Sequence, residues 1–265
     1  MMLAIAFLVS GLSLVIWIVL LVARGGFWRA QPARPLPPEA RGAAADAGWP
    51  AVVAVLIALG LYGALPSEFP ASLRFGVVAL GLVLLIPVTI LNPVRLDRQT
   101  RWSRTMSTAL ALLLVVANQA ALVILIVVLV SQEHPNGPAD LLAALQVWIT
   151  NIMAFGLLFW ELDRGGPVSR RVDHRADLPP ADFRFPQDED ENTVIEVQRR
   201  SSVKSDWVPS FVDYLYLSLT NSTAYSPTDV MPLSSRVKGL MGLQSAASFV
   251  MVALVIARAV SLLGS

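Results

Sequence analysis

Cysteine is absent from this chain of 265 residues, and histidine occurs only as His134 and His174. Disulfides, thiolate metal sites and cysteine nucleophiles are thereby excluded, and imidazole chemistry is nearly so. Charge is also scarce: 15% of residues are Asp, Glu, Lys or Arg, where a soluble domain carries about 25%. With a net charge of +1, no nucleic-acid partner is expected. Lysine is confined to Lys204 and Lys238 against eighteen arginines, the bias a G/C-rich bacterial genome gives. No glycine lies between Gly166 and Gly239, and no Asp or Glu falls in the middle of a long apolar stretch. The missing carboxylates remove the usual carrier of proton-coupled transport. With no His/Cys/Asp cluster or nucleophile motif, neither an enzyme nor a cofactor site is expected.

What remains is apolar sequence, 55% of the chain, in runs that match a bilayer. A spanning helix needs roughly 20 apolar residues. Six stretches approach or exceed that length, at 1–23, 49–65, 75–91, 107–131, 141–160 and 237–263. The expected fold is an all-α polytopic transmembrane helical bundle of about six spans, plus one short re-entrant or interfacial helix. Its parts are an N-terminal transmembrane helix (1–23), a Pro/Ala-rich cytoplasmic linker (24–48), a four-helix transmembrane region (49–162), a charged cytoplasmic loop (163–206) and a final segment (207–265). Residues 1–23 lack the basic start and the small-residue cleavage site of a signal peptide, so a retained helix is expected. Pro87 predicts a kink in the third span.

Orientation follows from the arginines. Alternation through six helices puts eighteen of the twenty basic residues on one face, leaving Arg74 and Arg258 near the other. The positive-inside rule makes the crowded face cytoplasmic, with both termini outside. Arg258 is expected to snorkel at the outer interface. The acidic run Asp188-Glu189-Asp190-Glu191 reads as solvated, because it lacks the glycine and alternating ligands of a calcium loop.

Within the spans the polar residues are amides and hydroxyls: Asn118 and Gln119, then Gln146, Thr150 and Asn151, then Gln244, Ser245 and Ser248. Interhelical hydrogen bonding is their ordinary role, and lining a substrate or ion path is the alternative. Gln146 and Thr150 share a helix face, so a neighbouring helix is expected against them. The run PSFVDYLYLSLTNS (209–222) is too short to cross. Trp207, Phe211, Tyr214 and Tyr216 suit the headgroup zone, and a surface-lying helix is favoured over a hairpin that dips inward. Asp229, between Pro227 and Pro232, is expected to brace the turn before the last span, with Ser234 or Ser235 as its cap.

The segments NPVRLDRQTRW, WITNIMAFGLLFWELDRGGP and FVDYLYLSLTNSTAYSPTDVMPL resemble parts of a family of bacterial multi-spanning membrane proteins that carry a domain of unknown function. The resemblance covers residues 49–265 and is most specific in the last third. There Asp213-Tyr-Leu-Tyr216, Ser226-Pro-Thr-Asp229 and a basic turn precede the final helix. More loosely, this tail is similar to a potassium-channel pore helix, filter and inner helix. That likeness implies a pore-like loop made of Asp213, Tyr214, Tyr216, Thr220, Ser222, Thr223, Tyr225, Ser226, Thr228 and Asp229. A potassium filter stacks backbone carbonyls at glycines, and Thr223 to Pro227 contain none, so potassium selectivity is not expected. Two functional expectations follow, both in an inner (plasma) membrane with the bilayer as first partner. One is a non-enzymatic scaffold that binds a cytoplasmic protein through 163–206. The other is a channel-like or transport protein, a homo-oligomer using 211–229 and the last helix.

Overall fold

A computed structural model describes residues 48–91, 101–131, 137–189, 194–225 and 229–263. The expected first span and linker, and Ser226 and Thr228 of the pore-like loop, lie outside the described residues. Among the described residues the fold is all-α, with nine α-helices and a single two-residue strand pair. Pro50 opens α1 (Trp49–Gly63), and the N–H groups of Ala64 and Leu65 close it on the carbonyls of Gly60 and Tyr62 respectively. Pro70 then receives the first backbone bonds of α2 (Ala71–Leu91), which carries Pro87 in its interior. The long helices α3 (Arg101–Ser131) and α4 (Gly137–Leu162) follow.

Four helices are long and apolar enough to cross a membrane, over Ala71–Ile90, Trp102–Val130, Gly137–Gly165 and Ser235–Val260. The sequence reading placed a further span at 49–65, but α1 has 15 residues, about 22 Å of helix. That is short of the hydrocarbon core, so the five expected spans that fall within the described residues are four long helices and one shorter one.

From Ile152 to Leu162 nearly every α4 side chain is buried, and α1, α3, α8 and α9 all pack on this helix. After α4 the backbone turns sharply. Arg164, Gly165 and Gly166 take φ of 49°, 83° and 95°. Glycine meets such angles without penalty, whereas Arg164 is strained by roughly 1–2 kcal/mol. The turn lays α5 (Pro167–Val172) back beside the end of α4. Strand β1 (Phe183–Arg184) follows, then the one-turn helices α6 (Ile195–Gln198) and α7 (Ser202–Ser205).

The helix α8 (Phe211–Ala224) corrects the expectation of a surface-lying helix. Its buried positions are Phe211, Tyr214, Leu217, Ser218, Asn221 and Ser222, one stripe at helical spacing. That stripe packs into the groove between α4 and α9 (Ser235–Leu263). The pairings fix its direction. Phe211 meets Trp160 with ring centroids 5.6 Å apart, and Ser218 bonds the carbonyl of Ile152, so α8 runs antiparallel to α4. Asn221 bonds the carbonyl of Met241, and Tyr225 meets Phe249 edge-on, so α8 runs parallel to α9. A methyl at Gly156 would meet the Leu215 Cα at 3.3 Å, which is why the two backbones can approach.

By Met231 the chain is back at its starting end. There β2 (Met231–Pro232) pairs antiparallel with β1, Phe183 opposite Pro232. The described part of 207–265 is therefore a helical hairpin arm, inserted from the 163–206 end of the bundle, and then a full-length helix.

Candidate functional site

The hairpin has a base, a clasp and a tip. Its base is a set of charged groups that the sequence reading had assigned to a solvated loop. Asp163 is fully buried. Its Oδ1 accepts from the Asp182 N–H at 2.7 Å, and its Oδ2 accepts from the Tyr214 hydroxyl. Arg170, 1% exposed, donates to the carbonyls of Trp160 and Asp163 and lies 4.9 Å from the Tyr214 ring centroid. Arg164 donates to Asp188 and to the Phe183 carbonyl. Arg236 and Ser234 both donate to Asp182, which joins the start of α9 to the loop. Phe159, Phe183, Phe185 and Tyr214 pack edge-on around these groups.

Tyr214 therefore sits in this base rather than in a headgroup zone. Tyr216 is exposed, and Trp207 is half-buried against Phe185. Asp213 caps its own helix, accepting from the Ser210 N–H at 2.7 Å and hydroxyl at 2.8 Å in a capping box. Of the acidic run, Asp188 is bound by Arg164, Ser202 and the Phe185 N–H, and exposed Glu189 accepts from Arg184. Asp190 and Glu191 lie outside the described residues.

The clasp centres on Gln244, which is completely buried. Its amide nitrogen reaches the Ser218 carbonyl (3.0 Å), the Ser218 hydroxyl (2.6 Å) and the Ser222 hydroxyl (2.8 Å), while its oxygen accepts from Asn221 (2.9 Å). Ser245 donates to the Asn221 carbonyl. One layer away, Asn151 donates to Ser248, and Asn118 donates to Thr150 and to the Val147 carbonyl. Gln146 donates to Ala64 at the end of α1. The shared face predicted for Gln146 and Thr150 thus meets α1 and α3. The amide oxygens of Asn118, Gln146 and Asn151 and the Gln119 nitrogen are buried without partners in the described residues.

The tip lies at the level of this polar layer. Tyr225 ends α8 with φ of 55°, in the left-handed region. Thr223, Ala224 and Tyr225 are exposed, and the Thr220 and Thr223 hydroxyls bond back to their own helix. Asp229 is exposed, and residues 226–228 of the turn it is expected to brace lie outside the described residues; at the other end of that turn Asp182 holds Ser234 and Arg236. Ser234 caps α9 as expected, accepting from the Val237 N–H. At the far end of the bundle Arg258 pairs with Asp140 at 3.1 Å rather than snorkelling alone.

No protein-family model, curated protein or solved structure matches this chain. Among the described residues no group of His, Cys, Asp and Glu is placed to hold a metal ion.

Proposed function

We propose that this is a homo-oligomeric membrane protein in which the α8 hairpin lines a weakly selective passage for small cations. The observation that carries this reading is the depth of the tip. Tyr225 meets Phe249, about 14 residues along α9, or roughly 21 Å from its start. A helix that stops there ends its regular backbone ladder at membrane depth, where the Asn221 carbonyl takes the Ser245 hydroxyl. At membrane depth such backbone is tolerated where it is buried in protein or lines water, and not against lipid. The exposed tip residues Thr223, Ala224 and Tyr225 therefore face either a second copy or an aqueous path. Hydroxyls line such a path without the glycine geometry of a potassium filter. Asp229, which braces nothing among the described residues, supplies negative charge at its mouth.

Flux from liposomes tests this reading. Potassium and sodium are expected to leave at rates within about tenfold of each other, since hydroxyl lining lacks a stacked-carbonyl filter. Asp229→Asn is expected to slow both while leaving folded yield unchanged. Absence of flux, or potassium flux with sodium excluded, would sink the reading.

The hairpin enters from the face that bears the 163–206 loop, and the arginine count assigns that face to the cytoplasm. Val203, 76% exposed, is a suitable reporter in this cysteine-free chain. Val203→Cys is expected to escape an impermeant thiol reagent in intact cells and to label after lysis. Labelling in intact cells would reverse the orientation.

A second reading, the partner-binding scaffold, is favoured by one observation. Val194, Ile195, Val197 and Val203 are each more than half exposed on the charged loop. If a partner docks there, Ile195→Ser and Val203→Ser together will abolish its capture without altering flux. Unchanged capture would remove the scaffold reading.

A further inference from the structure

Away from the hairpin, the bundle holds a half-open cavity of about 80 Å³ between α1, α2, α3, α4 and the start of α5. Its walls include Val55, Leu85, Leu110, Ala111 and Leu157, and its rim, Gly48, Val52, Val88 and Thr89, is half-exposed. One end is different in kind. Ser103, Arg104, Ser107, Trp160 and Glu161 line it together, where α3 begins and α4 ends.

Glu161 is 4% exposed, and its Oε2 accepts from the Ser107 hydroxyl at 3.0 Å. Trp160 is 6% exposed, and its indole N–H is buried with no hydrogen-bond partner. A carboxylate and an unpartnered donor at the end of an apolar slot are the complement of an amphiphile whose head both donates and accepts. Two guanidiniums lie within electrostatic reach of Glu161, those of Arg170 and Arg104; Arg170 is held by the carbonyls of Trp160 and Asp163, and Arg104 is the one that lines the cavity. A purely anionic head would meet the carboxylate and be repelled. A quaternary ammonium would present no N–H to it.

We infer that this cavity binds a membrane phospholipid whose head carries a primary ammonium, of the ethanolamine type. The ammonium donates to Glu161, a phosphate or ester oxygen accepts from the Trp160 indole and faces Arg104, and the first methylenes of an acyl chain enter the slot. The cavity lies at the loop end of the bundle, the level of a headgroup layer. It is separate from the hairpin tip, so failure of ion flux leaves this inference untouched.

Native mass spectrometry of the full-length, delipidated protein tests it. The protein is offered equimolar ethanolamine, glycerol and choline phospholipids with identical acyl chains. One ethanolamine lipid is expected to be retained at least about tenfold over the others, a difference of one decade in affinity. Glu161→Gln is expected to bring it down to the choline level. Thr89→Trp, at the half-exposed rim where folding is least disturbed, is expected to lower retention with the thermal unfolding temperature unchanged. Equal retention of all three lipids would mark annular binding only, and preference for the glycerol lipid would mean that Arg104 reads phosphate alone. Either result, or no retention at all, overturns the site.

Discussion

Asp163→Ala is expected to remove about 3–5 kcal/mol of stability, the range for deleting one partner of a buried ionic set. Nothing about the residue's neighbours allows a cheap repair. Asp163 is fully buried and accepts from the Asp182 N–H, the Phe183 N–H and the Tyr214 hydroxyl. Its loss leaves Arg164, 3.7 Å away, with one carboxylate fewer, and removes the hydroxyl's acceptor on α8. Since Tyr214 belongs to the hairpin and Asp163 to the end of α4, the damage should spread from the loop into α8. Asp163→Asn keeps the shape and an acceptor oxygen but removes the charge, so an intermediate loss is expected. Chemical unfolding in mild detergent, followed by tryptophan fluorescence, reads both. An Asp163→Ala variant as stable as the parent would show that the charged base does not hold the hairpin.

Gln244→Leu is expected to loosen the hairpin from within. The side-chain amide has two hydrogens and one oxygen to give, and all three are engaged on Ser218, Ser222 and Asn221. Interhelical hydrogen bonds in membranes contribute about 0.6–2 kcal/mol each. Losing three together costs about 2–6 kcal/mol on that scale, with leucine filling the space. The effect should be local. Amide hydrogen exchange in 211–225 is expected to rise while exchange in 152–162 of α4 stays slow. Equal exchange in α8 with and without the substitution would mean that Gln244 is a passenger and not the clasp.

The long helices were legible in the sequence because span length is set by bilayer thickness. So was the partnering of Gln146 and Thr150, since helical spacing alone puts them on one side. The placement of α8 was not legible. An aromatic, amphipathic run of 14 residues satisfies a headgroup zone as well as it fills a groove. The signal that separates the two is the stripe of Ser218, Asn221 and Ser222 below Phe211 and Tyr214, which becomes decisive once Gln244, Ser245 and Ser248 offer partners. The charged base was hidden for a different reason. Asp163, Arg170, Asp182 and Arg236 are spread over 74 residues, and a charge count cannot tell a paired arginine from a solvated one. The clue in the loop was Phe183 and Phe185 flanking Arg184, an alternation that a solvated loop does not need.

Water access to the hairpin tip is the feature on which the proposed passage depends, and a thiol at Thr223 reads it directly. The position is exposed and bonds its hydroxyl to its own helix, so Thr223→Cys should leave the fold intact in a chain with no other cysteine. In proteoliposomes, a charged, water-soluble thiol reagent supplied from the loop face is expected to modify this position and to reduce cation flux. Val212→Cys, on the exposed side of α8 near the base, reports whether the reagent reaches the hairpin at all. Modification at 212 with none at 223, and flux unchanged, would contradict a water-lined tip.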